Sequence, residues 1–174
     1  MHRRLILCSL ILATVPAVVA QSSKDTVSTV LREILPRQEK NLIAAAEEMP
    51  ADKYGFKPTP AQMSFGKLVM HITESNNELC AKAADIAEPP AVALKETDPK
   101  DKLVAALKNS FAFCDGALAK TTDAKLADQI ELFGGHTGPR VFTYFALTSD
   151  WADHYSAAAM YLRLNGLLPP TAKK

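Results

Sequence analysis

Apolar residues recur every three or four positions along most of this chain, and clusters of proline interrupt that pattern. The clearest apolar stripe follows Ser64, a favourable N-cap residue, and continues to about Ala87, shortly before Pro89 and Pro90. Because proline cannot continue a helix, such clusters divide the chain into separate helical segments. Aromatic residues, which strands favour, make up only 7% of the chain. The pattern therefore predicts an all-α fold.

Four helices are predicted from these segments. They span about residues 24–48, 64–87, 98–118 and 140–164, and Pro36 is expected to kink or break the first of them. No strand pattern of useful length is visible. A single four-helix bundle is the simplest architecture for a chain of this length and pattern.

The connections and helix ends carry their own signals. Residues 49–63 contain three prolines and are predicted to be extended, whereas residues 121–138 are predicted to form an irregular loop. Asp98 followed by Pro99 predicts an N-cap and a first helical position for the third helix. Trp151 is interpreted as a packing residue. The predicted inner face of the fourth helix comprises Phe142, Phe145, Ala146, Ser149, Asp150, Ala157, Met160 and Leu164.

Residues 1–20 have the pattern of a cleavable Sec-type signal peptide. A short basic segment precedes the apolar run Leu5–Val19, and Val18 and Ala20 supply small residues before a cut at Gln21. A membrane anchor is the alternative, but the run is shorter than the roughly twenty residues that a spanning helix needs. We therefore expect residues 21–174 to form a periplasmic or secreted protein in an oxidising compartment.

The charge balance gives no reason to expect a nucleic-acid partner. The chain has 20 Lys and Arg against 19 Asp and Glu, and loss of Arg3 and Arg4 with the signal peptide would leave a net charge of −1. Nucleic-acid binding depends largely on clustered positive charge, which is absent from this composition. We also expect no membrane association after signal cleavage, because no later segment is long and apolar enough to span a bilayer.

Two cysteines predict the relative direction of the middle helices. Cys80 and Cys114 lie equally far into the second and third helices, so their heights would match only if these helices ran parallel. A parallel pair needs a long return connection, and residues 88–98 would reach about 36–40 Å against a helix of about 34 Å. We expect parallel helices with the two cysteines close together. A disulfide and a pair of buried free thiols both remain open.

Three polar residues on the helices form a candidate metal site. Asp150 and His154 are four residues apart and share one helix face, and His71 lies beside the apolar stripe of the second helix. Two histidines and one carboxylate suit Zn²⁺, Ni²⁺, Fe²⁺ or Mn²⁺. The alternative is a hydrogen-bonded Asp–His pair without a metal. His136 is a further candidate ligand, although a histidine in a loop is more often simply exposed.

Two stretches of the chain resemble the DinB-like (DinB/YfiT) family of metal-dependent four-helix bundles. Residues 153–170 read DHYSAAAMYLRLNGLLPP, which is similar to the family's last helix, H-x-x-E-H-Y-G followed by Y-L-R-x-x-G and P-P. Residues 57–71, from KPTP through SFG to His71, are similar to its extended connector and first ligand helix. In layout the resemblance covers nearly all of residues 24–170.

The resemblance implies an up-down-down-up bundle with a three-histidine metal centre. His71 matches the first family ligand and His154 the third, whereas the second position falls on Asp150 and Ser156 replaces the usual glycine. Asp150 makes this either a carboxylate variant of the site or a member that has lost tight metal binding.

Three functions are compatible with these features. The first is a metal-dependent hydrolase or transferase acting on a small molecule. The second is a non-catalytic module that keeps the bundle and binds a small ligand. The third is an extracytoplasmic interaction protein that forms a homodimer through an exposed apolar helix face. The resemblance also implies transferases that use low-molecular-weight thiols, but an exported protein would meet little reduced thiol.

Overall fold

The computed structural model describes residues 25–173, so the predicted signal peptide lies outside the described residues. The predicted all-α fold with four main helices is confirmed. A short β-hairpin and several 3-10 turns accompany them. The helices are α1 (Thr26–Glu48), α2 (Phe65–Ala84), α3 (Lys100–Leu118) and α4 (Val141–Leu164).

Helices α2 and α3 run parallel, as predicted. Asn76 donates a hydrogen bond to Ser110, and one turn further along both helices Cys80 is linked to Cys114. In both pairs the two residues are 34 positions apart in the sequence. Successive contacts keep the same sequence separation only when the two helices run in the same direction. The connection between the two helices therefore returns along the length of the bundle.

Helices α1 and α4 run opposite to this central pair. The side chain of Lys100, at the start of α3, donates to the Glu47 carbonyl near the end of α1. Arg140, just before α4, donates to the Lys82 carbonyl near the end of α2, while Phe65 at the start of α2 contacts Tyr161 near the end of α4. The bundle is therefore up-down-down-up.

A disulfide joins α2 to α3 inside the core. Cys80 and Cys114 are fully buried, and their Cα atoms are 5.2 Å apart. This separation lies within the ordinary range for a disulfide. Of the two alternatives that the sequence leaves open, the structure has the disulfide.

Trp151 is the largest fully buried side chain, which confirms its predicted packing role. Its ring contacts Phe111 of α3, with 6.1 Å between the ring centroids. Tyr161, on the same helix, is also buried and donates its hydroxyl hydrogen to the carbonyl of Met63. The aromatic residues of α4 thus connect it both to α3 and to the connection that precedes α2.

Several local predictions require correction. Helix α1 continues through Pro36 without a break, and Pro36 itself is exposed. Helix α2 ends at Ala84 instead of Ala87, because Asp85 adopts a left-handed conformation. The connection that was predicted to be extended contains a 3-10 turn at Ala51–Lys53.

The predicted start of α3 is wrong by one residue. Pro99 occupies the N-cap, and Lys100 is the first helical residue. The Asp98 carboxylate accepts a hydrogen bond from the Lys95 backbone and pairs with Lys102 at 2.7 Å. Asp98 therefore closes the turn before the helix and pairs with its first turn, but it does not cap the helix.

The segment predicted to be an irregular loop contains a β-hairpin. Strand β1 (Gln129–Glu131) pairs antiparallel with strand β2 (Thr137–Pro139). Gly134 and Gly135 both have positive φ angles in the turn between them, a conformation that glycine adopts without strain. Strands of three residues are too short to produce a recognisable alternation in the sequence.

The predicted inner face of α4 is largely wrong. Phe142, Phe145, Met160 and Leu164 are 43–64% exposed, and Ser149 is exposed as well. Apolar residues occur on all sides of this helix, so spacing alone does not identify the buried face. Ala146, Asp150 and Ala157 are half-buried. The residues that are buried instead are Thr143, Tyr144, Leu147, Trp151, Ala158, Ala159, Tyr161 and Leu162.

No helix between residues 25 and 173 combines the length and apolar character needed to cross a membrane.

The disulfide predicts a large stability difference between oxidised and reduced protein. Closing a loop of 34 residues stabilises the native state by about 3–4 kcal/mol, mainly by restricting the unfolded chain. We expect the C80A/C114A double variant to lose about that free energy of unfolding in urea titrations followed by circular dichroism. A reductant should destabilise the parent protein similarly and leave the double variant unchanged. Equal stability of the parent with and without reductant would contradict the prediction.

Candidate metal centre

The three residues predicted to form a metal site lie together between α2 and α4. His71 projects from α2, and Asp150 and His154 project from adjacent turns of α4. One ligand atom from each lies within 4.8 Å of the others, and the centroids of the two histidine rings are also 4.8 Å apart. All three side chains are half-buried. The structure therefore brings together the full set that the sequence predicts.

The spacing of these ligand atoms is slightly wider than a bound ion needs. Zinc–ligand bonds of about 2.0–2.2 Å place the atoms of a tetrahedral site roughly 3.3–3.6 Å apart. The widest pair, at 4.8 Å, must therefore approach by about an ångström. This approach would have to come from the half-buried side chains of the three residues.

His154 is oriented for ligation by its own helix. Its Nδ1 atom lies 2.6 Å from the backbone carbonyl oxygen of Asp150 and 3.4 Å from Oδ1 of the same residue. A carbonyl oxygen can only accept a hydrogen bond, so Nδ1 carries the proton. The lone pair of the ring is then on Nε2, which is the arrangement by which a backbone acceptor orients a metal-binding histidine.

The Asp150 carboxylate is held in an unusual environment. Its Oδ2 atom is buried and has no hydrogen-bond partner among residues 25–173. Burial raises the pKa of this carboxyl group, while the neighbouring His154 and His71 act in the opposite direction. Buried polar atoms are normally paired, so a carboxylate oxygen without a partner beside two imidazoles is suited to binding a cation.

A buried asparagine stabilises the turn of α4 that carries Asp150. Asn76 of α2 accepts a hydrogen bond from the Trp151 indole at 2.7 Å and donates one to Ser110 of α3 at 3.0 Å. Because Trp151 directly follows Asp150, this network fixes the helix turn that carries the carboxylate. Asn76, which is fully buried, was not predicted as part of the site, although an amide one turn after Ile72 on the apolar stripe of α2 was a detectable signal.

A cleft of about 250 Å³ is lined by His71 and Asp150, two of the three candidate ligands. Glu78 and Phe133 border this cleft but were not predicted as site residues. For Phe133 the reason is that nothing in the sequence relates the hairpin to α2. The residues that line the cleft are His71, Ser75, Glu78, Leu79, Phe133, Ala146 and Asp150.

His136, the further candidate ligand, lies outside this cluster. It is exposed beside the turn of the hairpin, and it belongs to no group of potential ligands in the described part of the chain. The candidate site is therefore limited to the three residues on α2 and α4.

Comparison with known families and structures identifies the family of this fold. Residues 34–149 match the family model of the DinB superfamily. The chain belongs to the DinB superfamily. The matched region includes His71 and ends just before Asp150, so the complete ligand group is defined by the geometry described above and not by the match.

Solved structures share the fold of this DinB superfamily member at low sequence identity. A DinB-like protein from Bacillus subtilis is 20% identical over 83% of this chain and 99% of its own, with a TM-score of 0.66. A DinB-like protein from Bacillus cereus is 13% identical over 80% and 93% of the two chains, also with a TM-score of 0.66. A conserved protein from Enterococcus faecalis is 16% identical over 79% and 96%, with a TM-score of 0.64. No functionally curated protein matches the sequence.

The buried Oδ2 atom of Asp150 has no hydrogen-bond partner among the described residues, and this predicts that Asp150 lowers the stability of the metal-free protein. In metal-free protein at pH 8, the buried negative charge of Asp150 disfavours the native state. On folding, Oδ2 loses its hydrogen bonds to water and gains no hydrogen-bond partner within residues 25–173 in return. We expect Asp150→Asn to raise the melting temperature of metal-free protein, measured by calorimetry in the presence of a chelator. Asp115→Asn, which changes an exposed carboxylate on α3, serves as the control and should have little effect. A lower melting temperature for Asp150→Asn would contradict this account.

Proposed function

We propose that this DinB superfamily protein binds one divalent cation through His71, Asp150 and His154 and uses it in a hydrolase or transferase reaction on a small molecule. The observation that carries the proposal is the convergence of these three side chains, in which a buried carboxylate oxygen without a hydrogen-bond partner in the described part of the chain lies beside two imidazoles. Zn²⁺, Ni²⁺, Fe²⁺ and Mn²⁺ all accept this ligand set.

The chain supplies orientation and charge at the site. The Asp150 backbone carbonyl holds the proton of His154 on Nδ1 and directs Nε2 away from its own helix. Asp150 adds a negative charge where the family pattern has a neutral histidine. It therefore lowers the net charge of a loaded site from +2 to +1. With these three protein ligands, a bound ion would keep coordination positions open and would act as a Lewis acid on water or substrate.

The test of the proposal is metal binding by chelator-treated protein, measured by calorimetric titration and elemental analysis. We expect one ion per chain, and roughly 100-fold or greater weakening in His71→Ala, Asp150→Ala and His154→Ala. Even loss of an outer-shell partner typically costs 10–100-fold in affinity. His136→Ala is the matched control, because it removes an exposed histidine outside the group and should bind metal like the parent.

Three outcomes would contradict the proposed site in whole or in part. The first is no binding above background in the parent protein, which would favour the non-catalytic ligand-binding module instead. The second is binding that is lost equally in His136→Ala, which would indicate surface chelation. Retained binding in Asp150→Ala alone would exclude the carboxylate as a ligand.

We further propose that the protein is exported, that residues 21–174 form the mature chain, and that its partners are small molecules and not nucleic acid. The signal-like pattern of residues 1–20 and the Cys80–Cys114 disulfide support export, because disulfides persist in oxidising compartments. Expression of the full chain in a Gram-negative host should yield periplasmic protein that begins at Gln21 by N-terminal sequencing. Cytoplasmic protein that begins at Met1 would contradict export.

A further inference from the structure

The β-hairpin brings an aromatic side chain to the candidate metal site. Phe133, in the turn between β1 and β2, borders the cleft that contains His71 and Asp150. Its ring contacts Phe142 of α4, with 6.4 Å between the centroids, and 39% of the residue remains exposed. A large apolar side chain left partly exposed beside a polar site is free to contact a ligand.

The hairpin is tied down at several points, so that Phe133 is held in place. The Lys82 ammonium of α2 donates to the Glu131 carbonyl, and the Leu132 amide donates to the His136 carbonyl at 2.6 Å. Arg140, which follows β2, forms an ion pair with Asp85. The contacts of Lys82 and Arg140 link the hairpin to the end of α2, and the bond between Leu132 and His136 closes its turn. The wall of the cleft is therefore formed without a ligand.

The other walls of the cleft determine what can enter it. Leu79 and Ala146 extend the apolar surface from Phe133 towards the metal site, whereas Glu78 lines the cleft with a carboxylate. A cavity of about 150 Å³ is sufficient for benzene. A cleft of about 250 Å³ therefore has room for one compact ring and a small polar head group.

We propose that this cleft binds a small ligand with an aromatic or similarly compact apolar arm, packed against Phe133, and a polar head that reaches the metal ion. The inference rests on the proposed function and specifies the class of substrate. Because the Glu78 carboxylate lines the cleft and its ion pair with Lys82 is as long as 3.8 Å, an anionic arm is disfavoured relative to an uncharged one.

Hydroxamic acids test the proposal, because they combine a metal-chelating head with a variable arm. Acetohydroxamic and benzohydroxamic acid are titrated into the zinc-loaded mature protein by calorimetry, and their affinities for free zinc provide the reference. We expect the phenyl compound to bind at least about tenfold more tightly after this correction, as contacts of this size in apolar pockets provide. In Phe133→Ala that preference should largely disappear, while zinc affinity stays unchanged.

Phe145→Ala is the matched control, since it removes an exposed phenylalanine of α4 that does not line the cleft. It should keep the full preference for the phenyl compound. A third probe, 4-carboxybenzohydroxamic acid, should bind severalfold more weakly than benzohydroxamic acid, and Glu78→Gln should reduce that difference.

The outcomes separate this inference from the proposed function. If zinc does not bind, both fail. If zinc binds at one ion per chain but the parent shows no preference for the phenyl arm, only the substrate class fails. A preference that survives Phe133→Ala, or that Phe145→Ala removes equally, also overturns the role of Phe133. Equal binding of the carboxylated probe would overturn the charge selectivity assigned to Glu78.

Discussion

The parallel pairing of α2 and α3 is the constraint on which the rest of the bundle depends. Parallel neighbours cannot be joined by a tight turn, so residues 85–99 must cross back along the molecule. The Cys80–Cys114 disulfide and the Asn76–Ser110 hydrogen bond hold the two helices at one register. With α2 and α3 fixed in this way, α4 packs antiparallel to α2, and that direction places the turn containing Asp150 and His154 opposite His71.

Most polar side-chain groups in this core are paired, and the buried exceptions among the described residues are Arg140 Nε and Asp150 Oδ2. The Asn76 side chain donates a hydrogen bond to Ser110 and accepts one from the Trp151 indole. Trp151 is the residue next to Asp150. Asp150 itself keeps a buried oxygen without a partner among the described residues. Of these two unpaired atoms, Asp150 Oδ2 lies beside two imidazoles, an arrangement suited to binding a cation at some cost in stability.

Most of the helical architecture was predictable because its signals are local. Proline clusters and apolar periodicity marked four helices, and the equal depth of Cys80 and Cys114 indicated a parallel pair. The hairpin was missed because three-residue strands have no periodicity, and the buried face of α4 was misassigned because apolar residues surround that helix. The exposed Phe142 and the buried Trp151 differ in their neighbours and not in their chemical type.

The amino-acid sequence by itself determined the helical segments, the shared face of Asp150 and His154, and the candidate ligands. Helical geometry places side chains that are four residues apart on the same face of the helix, so their proximity does not depend on tertiary packing. Only the tertiary structure decided that His71 meets that pair, that Asp150 Oδ2 is unpartnered, and that Phe133 borders the site. Those relations depend on the rotation and register of packed elements far apart in the chain, which no local pattern specifies.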